Sequence, residues 1–142
     1  MYTMMSDAEW EVLRVVWAQK RATSRDVIDI LQPKYHWSAS TVKTLLQRLV
    51  KKDILQVNGA ERPFYYESKV SQKDLSTQVV RQSMAKICRT KQAEVVGELL
   101  SEIPLSFADI DRLSEILEDR RKDAVEQVQC ECLKGQCECG GE

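Results

Sequence analysis

Histidine is nearly missing from this chain: His36 is the single one in 142 residues. With no Ser/His/acid or Cys/His arrangement to set beside it, nucleophilic and general acid–base catalysis lack their usual groups, and no enzyme activity is expected. No apolar run approaches the ~20 residues of a membrane span, so no membrane partner is expected either. The first residues, Met1 to Asp7, show no basic, apolar, cleavable segment of the secretory kind, which makes the cytoplasm the expected compartment. Cysteines are few and odd in number, five in all, so a paired disulfide framework is not expected and the thiols are read as reduced.

What cysteine there is sits almost entirely at one end. Cys130, Cys132, Cys137 and Cys139 form a C-x-C-x-x-x-x-C-x-C run within the last thirteen residues. Each C-x-C pair sets two sulfurs within reach of one soft ion, and Leu133 to Gln136, with Gly135 among them, let the chain turn back to present the second pair. Zinc would take all four as a tetrahedral S4 set, whereas copper(I) is content with two or three sulfurs and could be shared as a small cluster. Spacing leaves both metals open, and a redox thiol switch is a further alternative. Gly135, Gly140 and Gly141 give the tail little structure of its own, and Glu131, Glu138 and Glu142 make it more anionic. Cys88 stands alone in a helical stretch and reads as a small buried apolar residue.

Net charge is small and charge is uneven in distribution. The net charge is −1, yet residues 1–70 hold 11 Lys/Arg against 8 Asp/Glu and residues 71–142 hold 10 against 14. Residues 34–52 carry Lys34, Lys43, Arg48, Lys51 and Lys52 and no acid at all. Phosphates respond to charge within a Debye length, ~8–10 Å, so a local basic face counts for more than the total.

The first seventy residues read as three helices and a ribbon. Ser6-Asp7-Ala8-Glu9 has the form of a capping box, and Trp10, Leu13 and Trp17 recur with helical period to about residue 20, which places both tryptophans in a core. Thr23 caps a second helix with Val27, Ile28 and Leu31 on its buried face, expected to stop at Pro33. A third, over residues 38–52, is capped by Ser38 or Ser40 and buries Val42, Leu45, Leu46, Leu49 and Val50.

Its opposite face carries Ser40, Thr41, Lys43, Thr44, Gln47, Arg48 and Lys51. An ordinary solvated face would intersperse acids for i,i+4 pairing, and this one has none before Asp53. Short hydroxyls, an amide and cations suit a major groove. Ile54 to Val57 and Pro63 to Glu67 then read as two short strands around a loop that opens on Asn58-Gly59, with Pro63 ruling out a tight two-residue hairpin. The fold class expected is therefore mainly α: a winged helix-turn-helix DNA-binding domain over 1–70, with Trp37, Ser38, Ser40, Thr41, Lys43, Thr44, Gln47, Arg48 and, in the wing, Arg62 as candidate DNA contacts.

From Ser71 strand signals vanish. Ser71-Gln72-Lys73-Asp74 caps a helix through Leu75, Val79, Val80, Met84 and Ile87; the pattern resumes at Val95, with a bend expected over Arg89 to Gln92, and ends at Pro104. Ser106 caps a last helix bearing Ile110, Leu113, Ile116 and Leu117. Amphipathic helices without a large domain of their own need a partner surface, and a second copy of the chain is the simplest. Residues 71–128 are accordingly expected to form a helical dimerisation domain, and 129–142 a cysteine-rich metal-binding tail.

The segment Ser6 to Leu13, the stretch Trp37-Ser38-Ala39-Ser40-Thr41-Val42-Lys43-Thr44-Leu45-Leu46-Gln47-Arg48-Leu49 and the wing ending in Tyr65-Tyr66 resemble the penicillinase-repressor (BlaI/MecI) family over roughly residues 4–120. The tail resembles that of the copper-responsive, CopY-type repressors. This resemblance implies a homodimer that holds double-stranded operator DNA, with half-sites of the TACA/TGTA kind, while Zn(2+) fills Cys130, Cys132, Cys137 and Cys139. It also implies release when Cu(I), delivered by a small copper chaperone, replaces zinc. Penicillinase repressors often have Pro-Lys after the Trp-Ser; here Ala39-Ser40 takes that place, and the cation at the start of the recognition helix is missing. A β-lactam-type repressor switched by proteolysis would need the first 120 residues and not the tail.

Overall fold

In the computed structural model residues 4–139 are described; Gly140, Gly141 and Glu142, assigned above to the tail, lie outside the described residues. The chain forms two compact units, one ending at Val80 and the other beginning at Arg81.

The N-terminal unit is built on three helices, α1 (Asp7–Gln19), α2 (Ser24–Tyr35) and α3 (Ala39–Lys51), followed by β1 (Leu55–Asn58) and β2 (Tyr65–Ser68). The α1 start is the expected capping box: Ser6 Oγ accepts from the Glu9 amide at 3.1 Å and Glu9 Oε1 accepts from the Ser6 amide at 3.3 Å. Thr23 and Asp26 do the same for α2. Ser38, rather than Ser40, caps α3.

The strands pair antiparallel with Leu55 opposite Ser68 and Val57 opposite Tyr66. Ala22 adds a bridge on the free edge of β2, its amide donating to Tyr66 O at 3.0 Å and its carbonyl oxygen accepting from the Tyr66 amide at 2.8 Å. Gly59 turns the chain at φ +117°, a conformation that costs glycine little. The connection from Gly59 to Phe64 is longer than a two-residue turn, as Pro63 demands.

Apolar stripes from all three helices close one core: Val12, Leu13 and Val16 from α1, Val27 and Leu31 from α2, and Val42, Leu45, Leu46 and Leu49 from α3, sealed by Ile54 and Leu55. Burying such a side chain is worth about 1.5–3 kcal/mol each. Trp10 and Trp17 depart from expectation. They lie edge to face, 5.5 Å apart, half-buried at the margin of the core. The Trp17 indole N–H donates to Ser68 Oγ at 3.0 Å and Val70 O at 3.1 Å, which fastens the end of α1 to the segment beyond β2.

Pro33 does not stop α2, which runs two residues further to Tyr35. Tyr35 is held there by stacking on Trp37, centroids 4.6 Å apart, and His36 ends the helix in the left-handed region at φ 54° with its amide donating to Gln32 O at 2.9 Å.

Beyond β2 come α4 (Gln72–Met84), α5 (Arg89–Glu102) and α6 (Phe107–Arg120), then a single 3-10 turn, Arg121–Asp123. The break between α4 and α5 falls on Ala85 to Cys88, just before the expected bend. Leu75 is not free for a dimer surface, being 1% exposed and part of the N-terminal core. α5 and α6 bury none of their residues, and Leu99, Ile110 and Leu117 are 47%, 46% and 64% exposed.

Candidate functional site

Two sites emerge, one in each unit. The first is the polar face of α3. Ser38, Ser40, Thr41, Lys43, Thr44, Gln47 and Arg48 are all exposed, and so is Arg62 in the wing. Ser38 Oγ lies 3.1 Å from Ser40 Oγ and 3.0 Å from Thr41 Oγ1, and Thr44 Oγ1 donates to Ser40 O at 2.9 Å, so the hydroxyls form a compact cluster on the first turn. No acid stands in that turn to neutralise the positive end of the helix dipole. Lys43, Arg48 and Arg62 make no ion pair among the described residues, and they remain available to an external anion.

A groove of about 580 Å³ brings Lys43 and Gln47 of α3 together with Arg62, Pro63, Phe64 and Tyr66 of the wing and with Thr23, Ser24 and Arg25 at the start of α2. The last three escaped the sequence reading. Their signal was the α2 capping box, since a helix N-terminus presents free amides to phosphate.

Two residues flanking this face are engaged within the protein. Trp37 is half-buried against Tyr35, where it sets the approach to α3. Lys52 is taken from the basic run by Glu9: its Nζ donates to Glu9 Oε2 at 2.7 Å, Glu9 Oε1 at 2.9 Å and Met4 O at 3.2 Å.

The second site is a cluster of thiols. Leu133 to Gln136 turn the tail back on itself, the Gln136 amide donating to Leu133 O at 3.0 Å, the Leu133 amide to Gln136 Oε1 at 3.2 Å, and Gly135 adopting φ +90°. This turn brings Cys130 Sγ to 3.2 Å from Cys137 Sγ.

Cys88 is not the buried apolar residue its isolation suggested. It is part-exposed at the N-cap of α5, with its Sγ 3.6 Å from Cys130 Sγ and 3.1 Å from Cys139 Sγ. The sulfurs of Cys88, Cys130, Cys132 and Cys137 all lie within 4.8 Å of one another. A tetrahedral zinc site with ~2.3 Å Zn–S bonds has sulfurs ~3.8 Å apart, so the donor set fits a thiophilic ion with small adjustments. All five cysteines are free thiols.

The cluster divides its protons unevenly. Hydrogen bonds from Thr90, and then from Cys139, hold the Cys88 thiol down to about 6. Cys132 stands at about 11: its bond with Cys130 lowers it, but the neighbouring Cys88 and Cys137 thiols outweigh that. Cys130 is also raised, the pull of the Cys132 amide being overcome by Cys137 and its other thiol neighbours. A thiophilic cation would displace the remaining protons, so retention must weaken as pH falls.

The penicillinase-repressor family profile matches residues 5–119. A protein of Latilactobacillus sakei, described as an uncharacterised 16.5 kDa protein in the ptsI 3′ region, is 36% identical over 95% of this chain and 92% of its own length. The methicillin resistance regulatory protein MecI of Mammaliicoccus sciuri is 29% identical over 80% of this chain and 92% of its own. The solution structure of the DNA-binding domain of the repressor BlaI is 34% identical and covers 52% of this chain and 93% of that one, with a TM-score of 0.47. Cys88 falls inside the family match and the four tail cysteines fall beyond it. The chain thus belongs to the penicillinase-repressor (BlaI/MecI) family and is a transcriptional repressor with a winged-helix DNA-binding domain.

Proposed function

We propose that the chain is a metal-responsive repressor of a copper-homeostasis operon, working in the cytoplasm as a homodimer on an inverted-repeat operator. What carries this reading is the occurrence, in one chain, of an acid-free helix face flanked by Arg62 of the wing and of a thiol cluster whose sulfurs lie within 4.8 Å.

On the DNA side, α3 would lie in the major groove. Gln47 would face base edges, Ser38, Ser40, Thr41 and Thr44 would allow close approach, and Lys43, Arg48 and Arg62 would meet phosphates. Residues 71–128 would supply the two-fold axis that spaces two such helices on two half-sites. On the sensor side, Cys130, Cys132, Cys137 and Cys139 supply soft donors, with zinc as the ion of the DNA-bound form. Thiolates favour copper(I) over zinc, so the same sulfurs would give up zinc to copper(I) handed over by a copper chaperone. The resulting change in sulfur geometry needs to couple to DNA affinity by only ~1–3 kcal/mol to regulate.

The experiment is a fluorescence-anisotropy titration of operator DNA with zinc-loaded protein, followed by copper(I), on the wild type and on a variant with the four tail cysteines changed to Ser. The wild type should bind and then be released by stoichiometric copper(I). The variant should bind and stay bound. Release of the variant by copper(I) would move the sensor elsewhere, and release of the wild type by a thiol oxidant alone would favour a redox switch.

A further inference from the structure

We propose that Cys88 is a ligand of the metal centre and that it fastens the tail to the N-terminus of α5. The inference rests on the metal-sensing reading above and deepens it by putting a sulfur from the helical region in the place given there to Cys139, at a site otherwise confined to the tail.

Three observations carry it. First, the four sulfurs that lie mutually within 4.8 Å are those of Cys88, Cys130, Cys132 and Cys137, so the compact set of four includes Cys88, 42 residues from its nearest partner, and leaves out Cys139. Zinc takes four sulfurs. With five present, one stands outside the tetrahedron, and the sulfur left over is Cys139, held 3.1 Å from both Cys88 Sγ and Thr90 Oγ1.

Second, the peptide around Cys88 is fixed from both sides. Gln92 Nε2 donates back to Met84 O at 2.9 Å and Ile87 O at 3.1 Å, tying the α4–α5 connection to the first turn of α5. Arg89 pairs with Glu131, the residue between Cys130 and Cys132, and so holds the first C-x-C pair against the helix start. Ala85 to Arg89, Gln92, Glu131, Cys132 and Gln136 line one cavity of about 450 Å³.

Third, Cys88 occupies the α5 N-cap, yet its side chain makes no capping hydrogen bond. A residue kept for helix stability there would be Ser, Thr, Asp or Asn. The thiol points instead into the cluster.

A ligand from the helix start turns metal occupancy into a restraint on Ala85 to Lys91. Copper(I), satisfied by two or three sulfurs, can be held by the C-x-C pairs alone, and exchange would then free Cys88 and relax that restraint.

The test compares full-length wild type, C88S, C139S and the tail variant with all four cysteines changed to Ser, each titrated with zinc and, as a spectroscopic stand-in, with cobalt(II). Ser is a preferred N-cap, so C88S should keep its helix content, which circular dichroism checks. C88S should lose about a quarter of the thiolate-to-cobalt charge-transfer intensity expected of an S4 site. Its zinc affinity should fall by roughly 100-fold or more, beyond what loss of an outer-shell partner costs. C139S should keep both. In hydrogen exchange, zinc should slow the amides of residues 88–91 in the wild type and not in C88S. Wild-type spectrum and affinity in C88S, with loss in C139S, would overturn the inference while leaving the tail as the sensor. Stoichiometric zinc binding at wild-type affinity by the four-Ser tail variant would overturn both.

Discussion

Glu9 serves two structural purposes at once. Its carboxylate completes the α1 capping box with Ser6 and, 3% exposed, accepts two hydrogen bonds from Lys52, the C-cap residue of α3. Burial by itself would raise its pKa, but the bond from Lys52, then those from Ser6, favour the ionised form more strongly, and the pKa falls below its usual 4.5. A folded-state pKa lower than the unfolded one gives stability that is complete above about pH 4.5 and is lost as pH drops through the folded value. Glu9→Gln should therefore flatten the acid limb of the urea-midpoint profile. Lys52→Ala should lower stability at neutral pH by about 2–3 kcal/mol, somewhat under the ~3–5 of a fully buried pair because Lys52 keeps 21% of its side chain in solvent. An unchanged urea midpoint in Lys52→Ala would show that water replaces the ammonium at no cost. Part of this was legible in the sequence: Ser6-x-x-Glu9 announced the box, whereas its ion partner Lys52 lies 43 positions away and reads there only as the end of a basic run. Cys88 was misplaced for the same reason. Local pattern reports neighbours along the helix, and both residues are defined by a partner some forty residues distant.

Among elements, periodicity carried α1 and α3 because their apolar stripes face a single core, where a 3.6-residue repeat has an unambiguous inside, whereas the ribbon, which buries only Leu55, was legible from its turn residues Asn58-Gly59 and Pro63. Pro33 misled because a proline near a helix C-terminus removes one backbone bond without removing the packing, here Tyr35 on Trp37, that holds the final turn. The polar face of α3 was readable from what it omits, while the groove it shares with Thr23, Ser24, Arg25 and Arg62 depends on how α2 and the wing flank it. The face itself makes a quantitative forecast. If Lys43 and Arg48 each neutralise one phosphate, changing both to Ala should reduce the slope of log K against log salt by roughly two units, at ~0.9 per phosphate, and weaken specific and non-specific DNA alike. Gln47→Ala should instead cost ~1–3 kcal/mol on the operator and little on random DNA. A salt slope that did not move in the Lys43/Arg48 double variant would remove α3 from the phosphate contacts.

At the scale of the whole molecule, the two units differ in how they use apolar side chains. The N-terminal unit buries its stripes in its own core, but Val96, Leu99, Ile103, Phe107, Ile110, Ile116 and Leu117 of the C-terminal unit are all more than 40% exposed. Contiguous apolar faces of this kind on amphipathic helices are the substance of obligate interfaces, which are larger and more apolar than transient ones. The amphipathic pattern showed that such a surface exists; no single sequence states which copies of itself it will meet. A homodimer through α5 and α6 should give a light-scattering mass twice the 16.3 kDa of the chain at micromolar concentration. Changing Ile110 and Leu117 together to Asp places two charges on that face without touching the N-terminal core, so the variant should keep the helix content and thermal transition of the winged helix while its mass falls to that of one chain. Its DNA binding should drop to that of a lone half-site, because the two-fold axis that pairs the recognition helices is lost. A wild-type mass near 16.3 kDa, or a double-Asp variant that stays dimeric, would place the subunit contact elsewhere on the chain.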